Sequence, residues 1–249
     1  MIELEKIHLS FNTGTPLEVI ALNDVSLRLE KGSFNLVVGS NGSGKSTLLN
    51  VMAGTLFPLR GKIMLANTDL SKMPVNARSK YIARIFQDPT KGTSPNLSLL
   101  ENFRIASLRT SNKRPFIGID KGFRKVVASH VSILDMGLEE RLDQPMSSFS
   151  GGQRQALSLL MATFDHLDLL LLDEPTAALD PKSAELVMDL TMKIAREKNF
   201  TSLMVTHNLK HCLYPVDRIL QMENGWIRRD VDPEEKAELS LNDIRDWFI

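Results

Sequence analysis

Near the start of the chain Ile2, Leu4, Ile7 and Leu9 alternate with Glu3, Glu5, Lys6 and His8, the period-two pattern of a half-buried strand. Val25, Leu27 and Leu29 repeat it against Ser26, Arg28 and Glu30, and Lys31-Gly32 closes the run as a turn. Between them Asn12-Thr13-Gly14-Thr15-Pro16 is a loop by composition, and Asn12–Val19 reads as a lengthened hairpin connection. Phe34-Asn35-Leu36-Val37-Val38 ends in a continuous apolar run, the signature of a strand buried on both faces in a parallel sheet. Gly39 to Thr47 interrupts it. Lys45 to Ala53 then reads as a helix that Gly54 ends. Strand, glycine-rich turn and helix open a βαβ unit.

Gly61–Leu65 and Tyr81–Phe86 read as further strands. From Asp88 to about Leu160 the texture changes: Pro89, Gly92 and Pro95 punctuate a loop, and two helical patterns follow, Leu100-Phe103-Ile105-Leu108 and Val126-Val127-Val131-Leu134. Strands resume with Leu169–Leu172, Leu203–Val205 and Ile219–Met222, and Glu223-Asn224-Gly225 makes a hairpin turn into Trp226-Ile227. The predicted fold class is α/β: a mostly parallel sheet flanked by helices, with an antiparallel β part and a helical insertion. Residues 1–87 and 161–229 are expected to form the core, 88–160 the helical insertion and 230–249 an acidic, helical tail.

Composition narrows the class. The 249 residues carry 30 Lys and Arg against 30 Asp and Glu, so no basic surplus supports a free-standing nucleic-acid binder. With 43% hydrophobic residues the chain is not disordered. Cys212, the single cysteine, forms no internal disulfide, which fits a reducing compartment. The acidic start lacks the pattern of a signal peptide, and no apolar stretch approaches the roughly 18–20 residues of a membrane helix. These features predict a soluble, cytoplasmic chain that leaves any membrane spanning to other subunits.

Gly39-Ser40-Asn41-Gly42-Ser43-Gly44-Lys45-Ser46 matches G-x-x-x-x-G-K-[ST] in full. A polyphosphate must be wrapped by backbone N–H groups, and glycines let the chain turn tightly enough to do it. The helix behind the loop points its positive end at the phosphates, Lys45 supplies a cation for the β- and γ-phosphates, and the Ser46 hydroxyl is placed to ligate Mg²⁺. Leu169–Leu172 ends in Asp173-Glu174. In open parallel sheets ligands gather at carboxyl strand ends, so this pair is expected to converge on the loop. Asp173 can hold Mg²⁺, and Glu174, pointing elsewhere, can polarise a water.

Ser150-Gly151-Gly152-Gln153-Arg154-Gln155 precedes an apolar helix from Ala156. Ser150 is a good N-cap, and the N–H groups behind it form a second anion site. One nucleotide does not need two cradles on one chain, so this one is expected to serve a nucleotide held by another chain.

With these motifs in order, the sequence resembles the ATP-binding-cassette (ABC) family over about residues 1 to 229. The order is the phosphate loop Gly39–Thr47, Gln87 after a strand, the signature Ser150–Gln153, Asp173-Glu174-Pro175, Ala178-Leu179-Asp180, and His207 after a strand. The resemblance implies a P-loop ATPase core and two cassettes closing head to tail around two ATP molecules. Each nucleotide would meet the phosphate loop of one chain and Ser150, Gly151, Gly152 and Gln153 of the other. By the same resemblance Glu174 is the general base or water-orienting group, and His207 the switch residue at the γ-phosphate. Gln87 senses Mg²⁺ and water, and Asp180 lies in the loop that communicates across the dimer. Phe11 corresponds to the aromatic residue that stacks on the base; its other reading is a core Phe ending a strand. Phe149 stands where Leu usually precedes the signature, and Leu160-Met161 lie where many members carry Arg.

The resemblance also implies partners: a second cassette, integral-membrane permease subunits that place the chain on the inner membrane face, and a solute-binding protein. The expected task is import of a small solute such as an amino acid; a lipoprotein-release or cell-division complex is the alternative, and a soluble non-transport role fits one cassette poorly. Between Arg104 and Lys125, the cations Arg104, Arg109, Lys113, Arg114, Lys121, Arg124 and Lys125 face only Asp120. They read either as a surface for permease loops or anionic headgroups, or as a solvated face.

Overall fold

The computed structural model describes residues 1–110 and 118–248. Lys113 and Arg114 of the basic stretch lie outside the described residues. In chain order the strands are β1 (Ile2–Phe11), β2 (Val19–Leu29), β3 (Phe34–Val38), β4 (Arg60–Leu65), β5 (Thr68–Asp69), β6 (Ile82–Ile85), β7 (Leu169–Asp173), β8 (Thr201–Thr206), β9 (Arg218–Glu223) and β10 (Trp226–Val231). The helices are α1 (Lys45–Ala53), α2 (Val75–Arg78), α3 (Leu99–Ser107), α4 (Lys121–Val131), α5 (Gly151–Ala162), α6 (Pro181–Lys198), α7 (Pro233–Glu238) and α8 (Leu241–Asp246). Short 3₁₀ turns, such as Leu209–Leu213, connect some of them.

The chain divides into two compact units: residues 1–82, 168–174 and 195–249, and residues 83–167 and 175–194. The helical stretch 88–160 falls in the second, which also takes 83–87, 161–167 and 175–194.

The first unit carries an antiparallel sheet ordered β2-β1-β4-β5 and most of a sheet ordered β10-β9-β3-β8-β7-β6. In the latter, β9, β3, β8 and β7 run parallel and β10 joins β9 as an antiparallel hairpin. The β9–β10 turn is the one expected at Asn224-Gly225, both with positive φ (48° and 81°), as a two-residue hairpin turn demands. Every side chain of β3 is buried, and so are Leu169 to Leu172 of β7, as continuous apolar runs require in a parallel sheet. Leu48, Leu49, Val51 and Met52 of α1 join Val37, Leu169 and Leu171 in one core with Ile2, Leu4, Ile7, Leu22 and Leu27 of the antiparallel sheet. Burying such a side chain contributes roughly 1.5–3 kcal/mol. Gly54, in the left-handed region at φ 82°, caps α1 where the sequence places its end.

In the second unit three helix starts are written locally. Ser98 and Glu101 form a reciprocal capping box on α3, Asp120 caps α4, and Ser150 with Gln153 forms the box on α5. Phe103, Phe123, His130 and Phe164 pack edge to face with centroids 5.3–6.2 Å apart. Helix α6, the longest among the described residues, has no counterpart in the sequence reading.

Candidate functional site

Strand register assembles the first half of the site. Parallel strands β3, β8 and β7 lie side by side, with Val38 opposite Thr206 and Asp173 opposite Val205. Neighbouring strands are about 4.8 Å apart. The residues that follow, Gly39, His207 and Glu174, therefore leave the sheet along one edge.

Close approach dictates the loop from Gly39. A Cβ on Gly39 would lie 2.4 Å from the Met222 carbonyl oxygen. Gly44 has φ 104°, and a Cβ there would lie 2.5 Å from the Ala21 carbonyl oxygen. Lys45 is only 6% exposed; its ammonium donates to the carbonyls of Gly39 (2.8 Å) and Ser40 (2.9 Å). Burial pushes its pKa down, and the charges of Glu174 and Asp173 oppose that shift, which places both carboxylates in electrical reach of the ammonium. Helix α1 starts without a side-chain cap and without an acid in its first turn, so its N–H groups and positive end are left for an anion. Ser40, Asn41, Gly42 and Ser46 are exposed, and Thr47 is half-buried. The β9–β10 turn braces the loop from behind: Gly225 N–H donates to the Ser43 carbonyl (3.0 Å), and its own carbonyl accepts from Asn23 N–H (2.9 Å).

Asp173 ends β7 half-buried. Glu174 has φ 47°, a left-handed conformation that is uncommon for a side chain of this kind. Its N–H donates to the Val205 carbonyl (3.0 Å), and its Oε2 lies 2.7 Å from His207 Nδ1. The Glu174 side chain is 17% exposed and that of His207 58%, so the pair opens to solvent on the histidine side. Behind it, buried His211 hydrogen-bonds Thr206 Oγ1 (2.9 Å) through Nδ1, and desolvation, aided by the charge of His207, lowers its pKa to about 4. Phe11, at the end of β1, is 41% exposed, so it is not a core residue.

The remaining predicted residues lie in the second unit. Gln87 is exposed just beyond β6. At the start of α5, Ser150 Oγ accepts from Gln153 N–H (3.2 Å), and Gln153 Oε1 accepts from Ser150 N–H (3.0 Å). The Gln153 carboxamide oxygen is thus committed to its own helix end. Asp180 caps α6, accepting from Ser183 N–H (3.0 Å); hydrogen bonding by the Ser183 hydroxyl, and then by that N–H, lowers its pKa.

Gln155 escaped the sequence reading. It is 1% exposed and donates through Nε2 to the carbonyls of Phe86 (3.0 Å) and Pro175 (2.8 Å). Helical spacing was the available signal, since Gly152 and Leu159, three residues before and four after, are both buried. The basic stretch is less free than its count suggests. Arg124 is paired with Asp143, Arg104 lies over the Phe123 ring at 5.1 Å, and Arg109 donates to the His166 carbonyl (3.3 Å).

Fold and site define a P-loop ATPase cassette, with a phosphate-binding loop and an acidic strand end on a mixed sheet. A family model described as ABC transporter matches residues 22–177. The tyrosine transport ATP-binding protein of Clostridioides difficile (strain R20291) is 38% identical over all of this chain and 98% of its own length. The aliphatic sulfonates import ATP-binding protein SsuB of Escherichia coli (strain K12) is 32% identical over 94% of this chain and 88% of its own. Among solved structures, the ATP-binding cassette MJ1267 of an ABC transporter matches with a TM-score of 0.83 at 26% identity, covering 100% of this chain and 98% of that one. The dimeric bacterial ABC transporter cassette MJ0796 matches with a TM-score of 0.80 at 26% identity over 94% and 99%. The chain belongs to the ABC transporter family and is an ATPase of that family.

Proposed function

We propose that two copies of this chain close head to tail around two ATP molecules, and that hydrolysis drives permease subunits which import a small solute such as an amino acid. The observation that carries the catalytic part is the Glu174–His207 contact of 2.7 Å on the strand edge from which the phosphate loop also leaves. In this reading Gly39–Thr47 and Lys45 hold the phosphates. Glu174 orients the attacking water and takes its proton, while His207 fixes the Glu174 carboxylate and faces the γ-phosphate. Phosphoryl transfer to water needs mainly positioning and charge stabilisation, which these groups supply.

Ser46 Oγ and the Asp173 carboxylate are hard oxygen donors that suit Mg²⁺, with Gln87 as a further oxygen ligand. Bound there, the cation would neutralise charge that develops on the phosphates. Phe11 receives the base, and Ser150, Gly151, Gly152, Gln153 and Asp180 of the second copy complete the site.

The full-length match to a protein named for tyrosine transport supports an amino acid as cargo. No helix among the described residues is long and apolar enough to cross a membrane, so the chain would sit peripherally on the inner face beneath its permease, with a solute-binding protein delivering cargo. Ile105, Ile119, Val126 and Ile133 are exposed apolar residues of the second unit and fit a protein partner there.

The test uses the chain co-purified with its permease in vesicles. Tyrosine uptake is expected to follow ATP turnover. Glu174→Gln is expected to retain ATP binding, elute as a dimer with ATP and lose turnover by about 10²–10³-fold, whereas Lys45→Ala loses binding. Brisk hydrolysis by Glu174→Gln overturns the catalytic reading, and uptake of sulfonates with none of amino acids overturns the cargo.

A further inference from the structure

We propose that Gln155 is a positioning residue for ATP turnover, whose carboxamide ties the signature helix to the backbone beside both Gln87 and Glu174. The two carbonyls it holds, on Phe86 and Pro175, belong to the residue before Gln87 and the residue after Glu174. At both places the chain has just left a strand, Phe86 directly after β6 and Pro175 two residues after β7. A buried carbonyl needs a donor. A single planar NH₂ group meets both needs, because its two hydrogens diverge at a fixed angle. Gln155 sits within the first turns of α5, whose N-terminus carries Ser150, Gly151 and Gly152. A displacement of that helix end therefore reaches the Phe86–Gln87 peptide and the Pro175 carbonyl, one residue beyond Glu174, through one side chain. Other residue types cannot repeat the bridge. Asn is one methylene short, Met keeps the length without a donor, and an ionised Glu turns two attractions into repulsions.

This inference rests on the roles proposed above for Gln87 and Glu174, and the experiment separates the two. Gln155→Met, Gln155→Glu and Glu174→Gln are assayed as full-length chains, with rates normalised to the folded fraction from near-ultraviolet circular dichroism. Gln155→Met is expected to keep its KM for ATP within about twofold and to lose about tenfold or more in kcat, since ATP is bound elsewhere and only the alignment of the water-handling groups is loosened. Gln155→Glu is expected to be slower still at about pH 8.5 and to recover relative to the unaltered chain towards about pH 6, because a buried carboxyl between carbonyls protonates readily and regains one O–H donor.

A residue that merely satisfied two carbonyls would lower Tm and leave kcat per folded molecule unchanged, with no such recovery. Either a kcat for Gln155→Met within about twofold of the unaltered chain, or a relative rate of Gln155→Glu that stays flat with pH, overturns the proposal. If Gln155→Met does not fold, Gln155→Glu decides alone, since the pH dependence of its rate is read against that of the unaltered chain. Loss of turnover in Glu174→Gln together with a normal Gln155→Met removes this inference only. Retained turnover in Glu174→Gln removes the reading beneath it.

Discussion

At the scale of the residue, the backbone is strained at Glu174, the residue proposed to handle water. Glu174 sits in the left-handed region at φ 47°, held there by the bond of its N–H to Val205 and by His207. Such a conformation costs about 1 kcal/mol or more for a residue with a Cβ and about nothing for glycine. Glu174→Gly is therefore expected to melt higher than Glu174→Gln while hydrolysing ATP no faster; a thermal melt of the two variants checks it. His211 gives a second residue-scale effect. Its folded pKa of about 4 lies below the ordinary value of about 6.5. Between those values the unfolded chain takes up a proton that the native chain refuses. The contribution of His211 is whole above about pH 6.5 and is lost as pH falls towards 4, by up to about 3 kcal/mol. Tm measured against pH is expected to decline across that window and to decline less for His211→Gln. Cys212, buried with its thiol pushed up to about 11, stays protonated throughout.

At the scale of the element, α1 is held at both ends by different means. Its N-terminus, without a side-chain cap, is proposed to be held by phosphate, while its C-terminus is held by Arg78, a fully buried cation that donates to the carbonyls of Val51 (2.6 Å), Met52 (2.8 Å) and Met73 (2.7 Å). A cation at a helix C-terminus also favours the helix dipole. Desolvation lowers the Arg78 pKa to about 10, which leaves it charged at neutral pH. Arg78→Met is expected to leave those carbonyls without a donor and to destabilise the chain by about 2–4 kcal/mol, read by urea titration. Arg78 and Gln155 were illegible in the sequence for one reason. Both are residue types common at surfaces, and their burial is decided by carbonyls far along the chain. What was legible is local: Gly54 ends α1, Ser150 caps α5, Asn224-Gly225 turns β9 into β10, and apolar runs mark β3 and β7. Helix α6 was missed because its polar residues interrupt the apolar ones, and because Asp180, read for its place in a motif, also caps it.

At the scale of the molecule, the zero net charge is an internal settlement as much as a surface property. Arg124 pairs with Asp143, and Arg218 with Asp230. Of the basic stretch, exposed Lys121 and Lys125 are the cleaner probes of a partner surface, because reversing Arg124 would also break its pair and loosen α4. Lys121→Glu with Lys125→Glu is expected to leave basal ATP hydrolysis unchanged and to weaken co-purification with the permease; undiminished co-purification returns the stretch to a solvated face. The place of β3 in the sheet has a consequence for biosynthesis. Its neighbours on either side are β8 and β9, which the ribosome delivers more than about 160 residues later. The phosphate loop is encoded early, yet its last brace is the amide of Gly225. The loop's bracing is therefore a late event of synthesis: the carbonyl of Ser43 waits for an amide made about 180 residues after it.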